Sequence, residues 1–395
     1  MSSFRESVLA ETAHLRPIVA QVMTIEDTTY GPPDGGYAVR FRGQLFRDSL
    51  EAYALVAEQF RPLGYTPLFR KDRDRHLVLA VAGVPNPPPN RVWVNVVMLA
   101  LTIVSMLVAG GAYGYTGPIP ETAGEWLQLM AGGWPFVVSL LGILMAHELG
   151  HYFAARYHKV AVTLPYFIPF PLSLFGTMGA FIQLKTPPTN RRVLLDIGIA
   201  GPLAGFVVAV PVLLVGLVLS GPLQPIPPGQ ASGFEGNSIL YVLMKYLVFG
   251  RWLPEPATFG DLPGWLYMLR YYLLGFPSPA GGVDVYLHPV AWAGWAGLLV
   301  TGLNLIPAGQ LDGGHALYVL IGRRARLLVP LIIAALVGLG FFWNGWWLWA
   351  ALIYFLGRTH AEPLDQITDL DPFRRLLAVG ALVLFVLVIT PIPFL

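Results

Sequence analysis

The stretch from Trp134 to Tyr157 is apolar enough to cross a lipid bilayer, yet its interior carries three ionisable side chains, His147, Glu148 and His151. Side chains four positions apart lie on one face of a helix, so the two imidazoles would be neighbours. Insertion scales assign a cost of about 2.5–3.5 kcal/mol to an ionised group at the centre of a membrane helix. A sequence that keeps three ionisable groups there needs a functional reason for them.

The spacing of these side chains is the His-Glu-x-x-His pattern, in which both imidazoles bind one Zn²⁺ and the glutamate serves as general base. The pattern also occurs by chance in soluble proteins, and its setting in an apolar segment favours a metal site here. The chain has no cysteine, which excludes thiolate ligands and leaves His, Asp and Glu. We therefore expect one Zn²⁺ per chain as cofactor.

The composition is that of a polytopic membrane protein. Of the 395 residues, 55% are hydrophobic and 12% are charged, whereas soluble proteins contain about 25% charged residues. The net charge of +2 is small and the basic residues are dispersed, so we expect no nucleic-acid partner. Residues 1–64 are polar and mixed in charge, and we expect the first hydrophobic span to direct insertion without a cleavable signal.

Seven segments have the length and apolar character to cross a hydrocarbon layer of about 30 Å. The fifth and sixth are short enough to form a tilted hairpin. Two apolar pieces, Ile239–Phe249 and Trp265–Phe276, are too short to span comfortably and are expected to be interfacial or re-entrant helices. We predict a polytopic α-helical protein with about 6–8 transmembrane helices, broken at the zinc site. The predicted spans are Val92–Tyr115, Trp134–Tyr157, Val193–Ser220, Pro289–Pro307, Leu327–Phe342, Gly345–Gly357 and Leu376–Ile392.

The distribution of Lys and Arg predicts the orientation of the chain. The N-terminal region through Arg91 is basic, as are residues 156–192, 323–326 and 358–375, whereas residues 116–133 contain no Lys or Arg. If the number of spans is odd, these basic segments all lie on the same side of the membrane. Basic segments stay preferentially in the cytoplasm, so we expect a multi-pass protein with a cytoplasmic N-terminus.

Residues 1–83 are predicted to form a small soluble α/β domain. Apolar and polar residues alternate from Tyr37 to Arg42, and a helix is expected from Ser49 to Leu63. Two strand-like runs flank the charged turn 71–75 and predict a hairpin. No acid–base cluster occurs here, so an adaptor is favoured over a catalytic role. The Pro-rich residues 84–91 form a stiff linker, and residues 92–395 are assigned to the metal-site domain.

A catalytic zinc needs three protein ligands and one open position, and Asp312 is the predicted third ligand. It lies in a segment where Pro307 and several glycines break the fourth span. By helix rise, His147 and Asn304 lie about 20 Å and about 22 Å from the starts of their spans, so the two motifs reach comparable depth. Taken alone, Asp312 also suits an ordinary turn, and His315 is a rival ligand.

Residues 147–151, taken together with the pattern Asn304-x-x-Pro307-x-x-x-Leu311-Asp312-Gly313, resemble the paired motifs of the site-2 protease family of intramembrane zinc metalloproteases. The resemblance covers the chain from about residue 92 onward. Residues 176–182 and 200–206 are similar to the branch with the plant chloroplast proteases named for ethylene-dependent gravitropism deficiency and yellow-green leaves. That branch includes bacterial relatives, so we expect a bacterial inner membrane. Many members carry Asn near the position of Gly205, and this chain does not.

The resemblance implies a zinc metalloendopeptidase that cuts transmembrane protein substrates within or near the bilayer, a reaction called regulated intramembrane proteolysis. The transmembrane substrate and membrane lipid are then its partners. Residue chemistry leads to a similar mechanism, with His147, His151 and Asp312 as metal ligands and Glu148 as proton acceptor and donor. Asn304 is assigned to the oxyanion, although an Asn in a broken helix equally satisfies free carbonyls.

A helical substrate has to unwind before its peptide bond can be attacked, so something has to hold it extended. Gly179, Phe181 and Gln183 lie in a strand-like run whose edge is suited to strand addition, and they are the predicted substrate-binding residues. The alternative is a hydrophobic loop lying on the membrane. The nearby Gly198, Gly201 and Gly205 are expected to permit close helix packing.

Two other hypotheses stay open on the sequence alone. One is a membrane metalloprotease of another class, in which Glu362 is the third ligand. The other is a non-catalytic transporter or scaffold that uses the polar site as an ion pathway. The presence of Glu148 argues against a scaffold, because metal storage needs no base.

Overall fold

A bundle of helices forms most of the chain, and a small antiparallel sheet precedes it. The computed structural model describes residues 13–32, 36–226, 235–276, 279, 281–356 and 362–394. The helices are Leu15–Ala20 (α1), Ser49–Phe60 (α2), Val92–Ala112 (α3), Ala123–Gly132 (α4), Trp134–Tyr157 (α5), Arg191–Leu219 (α6), Ile239–Phe249 (α7), Gly264–Leu274 (α8), Pro289–Asn304 (α9), Asp312–Ile321 (α10), Ala325–Leu339 (α11), Gly345–Leu356 (α12) and Pro372–Val388 (α13). The strands are Met23–Tyr30 (β1), Val39–Leu45 (β2), Tyr65–Asp72 (β3), Arg75–Ala82 (β4), Tyr166–Pro169 (β5), Thr177–Phe181 (β6), Gln224–Pro225 (β7) and Val283–Asp284 (β8).

The N-terminal sheet has the strand order β1-β2-β4-β3, and each neighbouring pair is antiparallel. Alternation along β2 buries Val39 and Phe41 in a core shared with α2. Asp48 accepts a hydrogen bond from the Leu50 amide and so caps α2. The predicted helix, central strand and hairpin are confirmed. The sequence did not reveal β1, because only Met23 of this edge strand is buried and its polar residues follow no clear alternation.

Within the described part of the chain, three helices are long and apolar enough to cross a membrane: α3, α5 and α6. They correspond to the first three predicted spans. The other four predicted spans are helices of 12–17 residues, namely α9, α11, α12 and α13. A largely helical membrane fold is therefore confirmed, whereas the total of 6–8 crossings stays a prediction. The two short apolar pieces between residues 221 and 288 are helical as predicted, and they form α7 and α8.

Three helices, α5, α6 and α9, pack against one another around an apolar core that includes the stacked indoles of Trp292 and Trp295. Where α5 crosses α6, a Cβ added to Gly150 would lie 2.5 Å from the Ala200 carbonyl oxygen. Only glycine allows the two backbones to come this close, as is usual where membrane helices pack tightly. The crossing lies within the His-Glu-x-x-His motif itself.

A break follows α9, as the sequence predicted from Pro307. The helix ends at Asn304, a short loop follows, and Asp312 is the first residue of α10. In the loop, the Ala308 amide donates to the Ile306 carbonyl oxygen over 2.8 Å. The break therefore places Asn304 and Asp312 at opposite ends of one loop, both facing α5.

Residues 362–371, which we call the strap, join the N-terminal sheet to the helical bundle. The Phe69 amide of β3 donates to the Leu364 carbonyl oxygen over 2.9 Å, so the strap extends the sheet at its β3 edge. On its other side, the Asp365 amide donates to the Thr189 carbonyl oxygen over 2.7 Å, just before α6. The sheet is therefore docked on the bundle and is not tethered by residues 84–91 alone.

Substituting Asp365 with Ala should loosen this junction. The fully buried Asp365 carboxylate accepts hydrogen bonds from the Ile367 and Thr368 amides and from the Thr368 hydroxyl. Leaving these donors without an acceptor should lower the free energy of unfolding by about 1–3 kcal/mol, measured by denaturation in detergent. The exposed neighbour Asp369 provides the control; equal stability of Asp365→Ala and Asp369→Ala would contradict this role.

Candidate metal centre

Three side chains converge between α5 and α10: His147, His151 and Asp312. The two histidine Nε2 atoms are 3.2 Å apart, and Asp312 Oδ2 lies 3.4 Å from His147 Nε2 and 3.3 Å from His151 Nε2. Ligand atoms bound tetrahedrally to zinc at about 2.0–2.1 Å are separated by about 3.3–3.4 Å. All three separations therefore fit a single tetrahedral ion with its fourth position open. The structure thus brings together the three predicted ligands.

The centre is buried but accessible through a cavity of about 210 Å³. The exposed fractions of His147, Glu148 and His151 are only 4%, 5% and 7%. Glu148 lies in the cavity wall beside the two histidines. A carboxylate at this position can exchange a proton with a water molecule or substrate atom in the cavity.

A backbone carbonyl of α6 orients one imidazole. His151 Nδ1 lies 2.6 Å from the Ile197 carbonyl oxygen, so Nδ1 carries the proton and donates it in this hydrogen bond. The Nε2 lone pair is then free for the metal, an arrangement typical of metal-binding histidines. This contact could not be predicted from the sequence, because every residue type offers a carbonyl oxygen.

Three glycines of α6 face the three histidines of the cavity. A Cβ added to Gly201 would lie 2.1 Å from His151 Nε2. The same addition at Gly205 would come within 3.1 Å of His147, and at Gly198 within 3.0 Å of a third histidine. The expected packing role is therefore sharpened: these glycines make room for imidazoles. In this chain, Gly205 contributes space beside His147.

Asn304 and the predicted substrate-binding residues lie at the edges of the centre. Asn304 Nδ2 is 3.3 Å from His147 Nε2. Phe181, at the end of β6, lines the cavity and stacks on Tyr166 with ring centroids 5.4 Å apart. Gly179 and Gln183 belong to the same run but are not part of the cavity wall, which is formed there by residues 180–182 and 184. The roles of all four residues stay predictions.

Glu362 is not part of the metal centre. Its carboxylate pairs with Arg323 over 3.1 Å and with Arg326 over 3.2 Å. Burial raises the pKa of Glu362, but hydrogen bonds from Arg323 and Gln366 outweigh it and hold the pKa below its ordinary value. The structure therefore favours Asp312 over Glu362 as the third ligand, because Glu362 lies outside the group of possible metal ligands and pairs with Arg323 and Arg326.

The fold and the site together define a membrane protein with a His-His-Asp metal centre built on broken and glycine-rich helices. Residues 135–343, more than half of the chain, match the model of a family described as peptidase family M50, and the chain belongs to this family. Membership confirms the resemblance to the site-2 proteases.

Plant proteins are among the relatives found. The chain is 31% identical over 331 residues to a probable zinc metalloprotease EGY1, chloroplastic, of Oryza sativa subsp. japonica, covering 78% of this chain and 52% of the relative. It is 34% identical over 273 residues to the probable zinc metalloprotease EGY2, chloroplastic, of Arabidopsis thaliana, covering 68% and 43%. The chain thus spans about half the length of the curated relatives it matches. No solved structure matches it.

A methyl group at position 201 should displace a metal ligand. Because the added carbon would lie 2.1 Å from His151 Nε2, we expect Gly201→Ala to weaken zinc binding at least about 10-fold, the lower end of the effects seen for groups that support metal ligands. Zinc affinity is measured by competition with a chromophoric chelator. Gly142→Ala on α5 is the control, because its Cβ would meet nothing within 4 Å; equal affinities of the two variants would contradict the prediction.

Separate alanine substitutions distinguish the two proposed third ligands. Asp312→Ala removes one of three ligand atoms, and we expect the purified protein to lose its bound zinc. Glu362→Ala removes the partner of Arg323, Arg326 and Gln366, all of them outside the metal centre, so its zinc content should equal that of the wild type. Metal analysis of both proteins checks this, and loss of zinc from Glu362→Ala alone would overturn the assignment.

Proposed function

We propose that the protein is an intramembrane zinc metalloprotease that hydrolyses peptide bonds of transmembrane protein substrates within or near the bilayer. The observation that carries this proposal is the tetrahedral spacing of His147, His151 and Asp312 next to the carboxylate of Glu148. The helix that presents three of these side chains is long and apolar enough to span a membrane. Membership of peptidase family M50 and relatives named as probable zinc metalloproteases also support it.

The ligand set suits zinc, which when bound would supply a Lewis acid for the scissile carbonyl and lower the pKa of water. Glu148 accepts the proton of the attacking water and delivers it to the leaving nitrogen as the C–N bond breaks. The carboxylate of Glu148 lies in the wall of the same cavity as the three metal ligands. Asn304 directs its Nδ2 towards the centre, 3.3 Å from His147 Nε2, and we assign it to the oxyanion.

The substrate is expected to bind as an added strand along Gly179, Phe181 and Gln183. In support of this, β6 pairs with β5 on one side, while residues 180–182 face the cavity. A hairpin at this position can hold an unwound peptide extended through backbone hydrogen bonds. The scissile peptide bond would then lie next to Glu148 and the metal ligands.

We further propose 6–8 transmembrane helices with a cytoplasmic N-terminus, in a bacterial inner membrane. The three long apolar helices support this topology, as does the distribution of Lys and Arg, to which the long segment 221–288 with Lys245, Arg251 and Arg270 is the exception. The curated relatives cited above are chloroplastic, so the bacterial assignment rests on the sequence resemblance. The proposed division is residues 1–83 as an α/β domain, 84–91 as linker and 92–395 as the protease domain.

The proton-transfer role of Glu148 is tested with Glu148→Gln protein. The amide cannot accept the proton of water, so cleavage of a model single-span substrate in proteoliposomes should fall at least about 100-fold, while the zinc content is unchanged. Glu125→Gln is the control, since Glu125 caps α4 outside the centre. Equal cleavage by wild type and Glu148→Gln would refute the mechanism.

The same Glu148→Gln protein keeps an uncut substrate bound and so reports where it lies. A photo-crosslinking phenylalanine at position 181 should capture the substrate. The same label at position 172 is the control, because Leu172 is 87% exposed at the distant tip of the β5–β6 hairpin. Capture at position 172 with none at 181 would rule out strand addition at this edge.

A further inference from the structure

An ion-pair junction next to the metal centre ties three helices together. The Asp196 carboxylate of α6 accepts hydrogen bonds from Arg374 of α13, from Nε over 2.8 Å and from the terminal nitrogen over 2.6 Å. His158, directly after α5, places its Nε2 2.9 Å from Asp196 Oδ2. The junction therefore joins the end of the metal-binding helix to the first turns of α6 and α13.

The Arg374 guanidinium is itself fixed in place. Its remaining terminal nitrogen donates to Asp371 Oδ2 over 2.7 Å, and the Asp371 side chain also caps α13 by accepting from the Arg374 amide. Two parallel hydrogen bonds between guanidinium and carboxylate form the most directional ion pair that side chains make. Arg374 and Asp196 are only 30% and 19% exposed, so the pair is better shielded from solvent than an ordinary surface pair.

Asp196 directly precedes Ile197, whose carbonyl oxygen accepts the hydrogen bond from His151 Nδ1 over 2.6 Å. This contact requires α5 and α6 to keep one register, because Gly201 leaves no spare room beside His151. The junction holds α5 and α6 in this register. On α6 it acts at Asp196, one residue before Ile197, and on the α5 side it acts at His158, two helical turns after His151. A slip between the helices would move the carbonyl oxygen away from the imidazole.

We propose that Asp196 is a positioning residue of the metal centre, which, held by Arg374 and His158, keeps the Ile197 carbonyl oxygen in place to orient His151. The inference rests on the proposed metal site and extends it to three side chains outside the cavity wall. Supporting groups of this kind typically alter metal affinity by about 10–100-fold. Asp196 touches neither substrate nor metal and acts through Ile197 and His151.

The test uses the full-length protein in detergent and measures metal binding without substrate, so its result does not depend on protease activity. Asp196→Asn removes the charge that Arg374 pairs with, and zinc affinity should fall about 10–100-fold. The visible spectrum of the cobalt-substituted protein should shift, because His151 no longer holds its orientation. Unchanged affinity together with an unchanged cobalt spectrum would overturn the proposal.

Further variants separate positioning from general loss of structure. The double variant Asp196→Arg, Arg374→Asp exchanges the two charges and should restore at least part of the lost zinc affinity. Neither single variant should restore it. Arg375→Gln is the matched control, because Arg375 is exposed next to Arg374 and should leave affinity and spectrum unchanged. If Asp196→Asn does not fold, Arg374→Lys is tested instead, since Lys keeps the positive charge but cannot form the two parallel hydrogen bonds to Asp196. An unaltered cobalt spectrum in Arg374→Lys would then overturn the proposal.

Discussion

The close approach of α5 and α6 is the constraint on which the metal centre depends. Gly150 on one helix and Gly201 on the other remove the side chains that would hold the two backbones apart. The closeness has a chemical consequence, because it brings a helical carbonyl oxygen to 2.6 Å from His151 Nδ1. An apolar environment strengthens such a hydrogen bond. The approach of α5 to α6 thus determines both how the two helices pack and which nitrogen of His151 binds the metal.

The break after α9 solves a second problem, that of bringing a carboxylate to a centre inside an apolar bundle. Backbone groups outside a helix have to find partners away from water. Here the Ile306 amide donates to the Leu303 carbonyl oxygen over 3.3 Å, and the Leu311 amide to the Ala308 carbonyl oxygen over 3.3 Å. Irregular backbone is therefore tolerated, and Asp312 starts a new helix within 3.4 Å of both metal-binding histidines.

The sequence predicted those parts of the site that side-chain identity specifies. Spacing placed His147 and His151 together, and the broken span led to Asp312, which the structure brings to the same point. The Ile197 carbonyl oxygen, which accepts from His151, escaped prediction because backbone groups are the same at every position. Pairing of the strap with β3 is also invisible in sequence, since nearly 300 residues separate Arg70 from Leu364, to whose carbonyl oxygen it donates.

The strap and the junction at Asp196 belong to one continuous stretch of chain. Residues 362–371 pair with β3 of the N-terminal sheet, and Arg374 follows in the first turn of α13 and binds Asp196. Between them, the Asp369 carbonyl oxygen accepts a hydrogen bond from Arg192 of α6 over 2.8 Å. Through these successive contacts, one stretch of chain connects the N-terminal sheet to α6. The N-terminal sheet is therefore connected to the metal centre through the strap and α6, although none of its side chains lines the cavity.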